Sequence, residues 1–231
     1  MEAQTLLGTT GYLNIPSADM QEDGTFFFGG SYINKNYISS YGGGDNDVAT
    51  YYLNLTFLPF VEVSYGSTRL LNYSGDRYTV DRRISMRLRP LKERKYVPAV
   101  VVGIHDLYTS VPKESETNQY FSSLYAVATK NIPVKGSAFG ITLGYGIRAF
   151  RNNQFLGFFG GVSFSPGFYR PMKFIAEYDG VGINLGLQAM LFRHLFVYAM
   201  VNDFKYFSGG IAYHVYLLNN VKKKSKAKRN R

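Results

Sequence analysis

The chain has 231 residues, is rich in Gly (24), Tyr (20) and Phe (18), and lacks Cys and Trp. That length, with no sharp shift in composition, suits one domain, and the missing cysteines exclude a disulfide framework or a cysteine-based metal site. Of the formal net charge of +10, seven positive charges sit in Lys222, Lys223, Lys224, Lys226, Lys228, Arg229 and Arg231, so the rest carries only +3 and the basicity belongs to a tail rather than to a nucleic-acid-binding body.

The start, Met-Glu-Ala-Gln, has neither the basic beginning nor the apolar segment of a secretory signal, so an exported protein of this sequence implies a longer precursor. Residues 1–23 stand apart from the rest of the chain. Pro16 and the small polar residues around it disfavour a helix or a central strand. From residue 24 the hydrophobicity alternates with period two, in stretches near 24–33, 48–58, 60–68, 78–89, 96–107, 119–130, 137–149, 155–164, 172–179, 181–192, 195–203 and 206–217. Within 181–191, Val181, Ile183, Leu185, Leu187, Ala189 and Leu191 take one face, and Gly182, Asn184, Gly186 and Gln188 the other. Most of these stretches match the ~9–11 residues of a tilted membrane-crossing strand.

Twelve is an even number, and the punctuation fits it. With both ends periplasmic, the longer connections 34–47 and 108–118 fall outside, and the tight breaks at Pro59 and at Arg193-His194 fall inside, the asymmetry of bacterial barrels. The last stretch resembles the aromatic terminal strand of such barrels, and Phe57, Phe60, Tyr65, Tyr145 and Tyr178 suit interfacial girdles. A soluble β-sandwich would bury the apolar face and wet the polar one, but soluble exteriors carry more lysine than the two, Lys130 and Lys173, found in these strands. The reading is an all-β, antiparallel up-and-down transmembrane β-barrel of about twelve strands in the bacterial outer membrane. Residues 1–23 form an N-terminal periplasmic or plug-like segment, 24–217 the barrel, and 218–231 the basic tail.

The inward face carries the charge. Arg83, Arg87 and Arg89 share one face of the fourth strand, Glu62 lies opposite Arg87 if the hairpin closes around 69–77, and Glu177 and Asp179 end the ninth strand. His105, Arg148 and His214 have the same parity. Such a set makes either a charged path for an anionic or hydroxyl-rich polymer, since arginine forks match carboxylates and phosphates, or an internal ion-pair network contacting a plug. The cost of unpaired charge in a narrow lumen weighs toward the network. Twelve strands fall between the eight that side chains fill and the ~16–18 that leave a channel. Gly140, Gly144, Gly146, Gly182 and Gly186 leave room for a plug or a sugar chain, or only relieve crowding.

Catalysis finds little support. A lone inward histidine is more often a hydrogen-bonded lumen residue, and Asp106, although next to His105, should face the other way on a strand. No phosphate-binding loop or metal-ligand spacing is present. The chain therefore reads as non-enzymatic, with no cofactor, metal or nucleic acid. Its expected partners are outer-membrane lipid, a polysaccharide, and a periplasmic protein or lipoprotein or an anionic surface met by the tail.

Four motifs carry a family resemblance. Residues 8–25, Gly-Thr-Thr-Gly-Tyr-Leu-Asn-Ile-Pro-Ser-Ala-Asp-Met-Gln-Glu-Asp-Gly-Thr, resemble the opening of the YjbH-type exopolysaccharide-biosynthesis family. Asp-Arg-Arg-Ile-Ser-Met-Arg-Leu (81–88), Val-Pro-Ala-Val-Val-Val-Gly-Ile-His-Asp (97–106) and Phe-Ile-Ala-Glu-Tyr-Asp-Gly (174–180) are similar to later segments of it, in order. The chain is shorter than the long members and has Leu-Tyr-Thr-Ser-Val-Pro after Asp106 in place of a glycine-rich stretch. The resemblance implies an outer-membrane barrel associated with production or export of extracellular or capsular polysaccharide.

Overall fold

The computed structural model describes residues 3–38, 46–72, 80–109 and 119–218. Alternating β-branched, aromatic and small residues extend as twelve strands: β1 (Thr25–Ile33), β2 (Val48–Phe57), β3 (Val61–Leu70), β4 (Val80–Leu91), β5 (Ala99–Thr109), β6 (Ser123–Val134), β7 (Ser137–Ile147), β8 (Gly157–Ser165), β9 (Met172–Tyr178), β10 (Ile183–Leu191), β11 (Leu195–Asn202) and β12 (Tyr206–Tyr216). Each pairs antiparallel with its chain neighbours, and β12 returns to β1 from Thr25↔Tyr216 to Tyr32↔Gly209, which closes the barrel and leaves no edge. No helix occurs among the described residues.

The twelve strands match the twelve alternating stretches of the sequence, with ends displaced by up to four residues. β6 begins at Ser123 rather than 119 because residues 119–122 form a turn in which Ser122 N–H donates to Gln119 O. The tight turns at 58–60, 135–136 and 192–194 lie at the end where β1 starts and β12 finishes. They are made by residues in the left-handed region, among them Leu58, Lys135, Phe192 and Arg193.

The burial pattern is that of a lipid-facing barrel: apolar side chains stand outside and polar ones inside. On β7, Ile141, Leu143 and Tyr145 are exposed while Thr142 is buried, and on β4 Ile84, Met86 and Leu88 are exposed while Asp81, Arg83, Ser85 and Arg87 are buried. A soluble barrel would be inverted, because charge desolvated on this scale needs a polar interior and apolar surface on this scale needs acyl chains outside. Phe57 and Phe60 sit at one rim and Tyr145 and Tyr178 near the other, but Tyr65, opposite Leu53 and Ile84, lies at mid-height and so outside either girdle.

The pairing of β4 with β5 loses register twice, once between Leu88 and Leu91 and once nearer the middle of the strands. Between the pairs Ile84↔Tyr108 and Met86↔Ile104 the register of β4 and β5 slips, Asp106 adopts φ 52°, and a bulge results. His105 and Asp106 are therefore both buried, contrary to the opposite-facing expectation. Asp106 N–H donates to Ser85 Oγ at 3.2 Å across the bulge.

Candidate functional site

The lumen is occupied by the chain's own N-terminus. Residues 3–21 are all buried. Pro16 and two glycines, Gly8 and Gly11, give this segment two tight turns in place of a helix. In the first, Thr5 N–H donates to Thr9 O and Gly8 has φ 81°; in the second, Tyr12 N–H donates to Ile15 O. Leu6 N–H donates to Leu13 O at 2.9 Å and ties the turns together. Leu6, Tyr12, Leu13 and Ile15 pack within one apolar cluster with lumen side chains such as Phe27, Tyr52, Phe159 and Phe196.

The wall residues reach this plug with polar groups. Glu62 lies opposite Arg87 across β3 and β4, with 2.9 Å between Oε2 and Nη1. Its other oxygen accepts from Thr10 N–H at 2.8 Å and from Asn54 Nδ2 at 3.0 Å. Arg87 Nη2 donates to the carbonyls of Ser17 and Asp19. Arg83 donates to Leu7 O, Thr50 and Thr68, its guanidinium seated where Gly66 lacks a side chain. On the opposite wall Glu177 accepts the N–H groups of Asn14 (2.7 Å), Leu13 (2.9 Å) and Ile15 (3.4 Å) together with Asn184 Nδ2 (2.9 Å). This is a small anion nest formed by the second turn. Gln188 Nε2 donates to the carbonyls of Gln4 and Tyr12, and Thr129 Oγ1 accepts from Ala18 N–H at 2.7 Å.

Two of the glycines named from the sequence make room for plug side chains. A Cβ on Gly186 would lie 2.6 Å from Leu13 Cδ2, and one on Gly140 would lie 2.8 Å from the Tyr12 hydroxyl. Gly144 and Gly146 instead accommodate Phe159 and Phe155, and Gly182 lies in a connection beside Asp203.

The histidines are structural in their contacts. His105 Nε2 bonds the Tyr125 hydroxyl at 3.0 Å. His214 stacks on Phe27, with ring centroids 5.0 Å apart, and its Nε2 accepts from the Gln4 side-chain amide.

Two charges expected in the lumen are elsewhere. Arg89 is half-buried at the β1-start rim, where it donates to Pro59 O beside the register shift between Leu88 and Leu91. Arg148 lies just past the end of β7, where alternation has stopped, and is exposed. Lys222, Lys223, Lys224, Lys226, Lys228, Arg229 and Arg231 lie outside the described residues.

At the far mouth, above the plug, a vestibule of about 640 Å³ opens. Leu6, Leu7 and Asn14 form its floor, while Tyr37, Tyr120, Arg148, Arg151, Gln154 and Asp179 stand among its walls. Asp179 is the hub: Oδ2 accepts from the Tyr37 hydroxyl at 2.7 Å, Asn14 Nδ2 at 3.2 Å and Asn184 Nδ2 at 3.0 Å. Its Oδ1 accepts from Val181 and Gly182 N–H. Burial, followed by the negative charges of Asp179 and Glu177, pushes the Tyr37 hydroxyl well above its ordinary range, so it remains a donor. Asn14 Oδ1 accepts from Gln154 Nε2 at 2.9 Å, so one plug side chain joins two walls. Tyr37, Gln154, Arg151 and Asn14 are not recoverable from the period-two pattern, because they come from connections and from the plug. Thr129 could have been found, since it shares inward parity with Tyr125 and Val127.

The model of the YjbH family, described as exopolysaccharide biosynthesis protein YbjH, matches residues 3–184. The chain belongs to the YjbH family. That span takes in the plug and the wall residues Glu62, Arg83, Arg87 and Glu177 that hold it. Comparison with functionally curated proteins gives no match. Among solved structures the chain is similar to the outer membrane phospholipase A of Escherichia coli, with 14% identity, 83% of this chain and 91% of that chain covered, and a TM-score of 0.40. It is likewise similar to the Salmonella typhi outer membrane phospholipase dimer with bound calcium, with 15% identity, 84% and 90% coverage and a TM-score of 0.43. Likenesses this distant say nothing of chemistry.

Proposed function

We propose that this YjbH-family protein is a non-enzymatic barrel of the bacterial outer membrane that takes part in exopolysaccharide export, closed at rest by residues 3–21, with the vestibule facing outward. The observation that carries this reading is how the plug is held. Its backbone N–H and C=O groups are bonded to Glu62, Arg87, Glu177, Asn54 and Gln188, all on the lumen wall. A hydroxyl- and carboxylate-rich chain offers the same donors and acceptors, so replacing the plug by such a polymer need leave no buried polar group unpaired. A purely apolar filling would not be exchangeable in this way. The engagement of His105 and His214 with Tyr125 and Gln4 supports the non-enzymatic part of the reading.

The test uses the absence of native cysteines. Ala18 N–H lies 2.7 Å from Thr129 Oγ1, which brings the two backbones within disulfide reach. In a deletion strain, surface polymer should be lost, restored by the wild type and by either single-cysteine variant, and not restored by oxidised A18C/T129C until reductant is added. Normal polymer in the deletion strain would sink the reading. Full restoration by the locked variant would remove the gate and leave a second reading, an accessory barrel that docks a periplasmic or lipoprotein partner, which the filled lumen also suits.

A further inference from the structure

The rim at the β1-start end is charged along one side. Its connections β4–β5 (92–98), β6–β7 (135–136), β8–β9 (166–171) and β10–β11 (192–194) follow one another around the closed barrel. Lys92, Arg94, Lys95, Lys135, Arg170 and Arg193 stand exposed on them. Neighbouring turns touch, since Arg170 Nε donates to Gly136 O and Gly167 N–H to Ser137 Oγ, each at 3.0 Å. The one acid on this arc among the described residues is Glu93, and its oxygens already accept from Lys130 Nζ (2.7 Å), Asn131 N–H (2.9 Å) and Asn131 Nδ2 (3.0 Å). Glu22 and Asp23 precede β1, beyond the ends of the arc. Apart from Arg170 Nε, and Lys95 Nζ seated 5.0 Å over the Tyr96 ring, the charged ends of the six make no hydrogen bond or ion pair among the described residues. The far mouth differs, because Asp47, Asp179 and Asp203 are interspersed with its cations.

The same connections carry large apolar tips. Tyr96, Phe168 and Phe192 are 82%, 84% and 87% exposed, and the apolar skin continues beside them through Val134, Phe139 and Phe174. Rings at a rim continuous with a lipid-facing skin belong at the boundary of the bilayer, and long cationic side chains beside them reach phosphate oxygens there. We propose that this arc binds the headgroups of anionic phospholipids in the leaflet that meets the β1-start rim, its cations on phosphate and its three rings among the uppermost acyl carbons. An acidic protein would need the cations alone; rings that extend the lipid-facing skin single out lipid. The site does not rest on the export reading, and normal polymer in the deletion strain would leave it standing.

Reconstituted in phosphatidylcholine vesicles, the full chain should hold trace spin-labelled phosphatidylglycerol at its boundary about two- to fivefold more strongly than spin-labelled phosphatidylcholine, the order for one headgroup meeting one cation. Raising salt should bring the ratio toward one. K92Q/R94Q/K95Q/K135Q/R170Q/R193Q should abolish the preference while keeping heat-modifiable gel mobility, which reports an intact barrel. The charge-preserving K92R/R94K/K95R/K135R/R170K/R193K should retain it, and R82Q/K205Q at the far end should leave most of it. Equal retention of the two lipids by the wild type, or a preference that persists at high salt, would overturn the site whatever the variants do. A preference that survives the six neutral substitutions would overturn it too, by assigning the selectivity to the basic tail, which that variant keeps.

Discussion

Glu62 and Arg87 show at the scale of single residues why this lumen tolerates charge. The pair is out of water, yet every described contact of either group is to the other or to a plug or wall partner. Removing one member strands the other. E62A should destabilise the barrel by about 3–5 kcal/mol, the usual result of leaving one buried charge without its partner, measured by urea unfolding from lipid vesicles. Glu177 acts more locally. In E177Q the second plug turn loses a charged acceptor for three N–H groups. Hydrogen exchange at Leu13, Asn14 and Ile15 should therefore quicken by tenfold or more, on the order of ~1.5–3 kcal/mol per charged hydrogen bond, while amides of β7 and β8 stay protected. Unchanged exchange at those three would mean that packing alone holds the turn.

The element of interest is the plug, a segment with little secondary structure beyond two isolated bridges, Gln4↔Thr10 and Gly11↔Pro16. It is held by tertiary contacts on all sides. Gly8 is a vulnerable point: its φ of 81° is left-handed, and a Cβ there would fall 2.1 Å from the Tyr52 ring. G8V should unseat the first turn by its clash with Tyr52 while leaving every strand residue unchanged, raising single-channel conductance in planar bilayers and keeping the heat-modifiable band. Deleting residues 3–21 should raise conductance further, because water then reaches Arg83, Arg87 and Glu62. If the deletion variant folds and still does not conduct, the walls close on themselves and the plug is no gate.

Taken whole, the molecule is a cylinder with an apolar skin, its charged side chains inside around the apolar cluster of the plug, closed by β1 on β12. Leu143, at mid-height of β7, is 59% exposed. L143R should therefore cost about 2–4 kcal/mol in vesicles, as charge at the bilayer midplane does, whereas the same change would be nearly silent on a soluble protein's surface. A barrel equally stable with Arg at 143 would argue that this face does not meet lipid.

Period-two alternation is a local property, so strand number, strand order and the facing of Glu62, Arg83, Arg87, Glu177 and His214 could be read directly from the sequence. Two kinds of position escaped it. Arg148 and Arg89 carry inward parity but lie at rims, where parity no longer decides exposure, and Asp106 turns inward only because a bulge sets three β5 residues, 105–107, against the single β4 residue Ser85. Alternation alone is enough to specify a cylinder with its charges inside. What those charges hold is set by packing across the lumen, because residues 3–21 have no periodicity to betray their place, and their wall partners stand from 25 to 210 positions away along the chain.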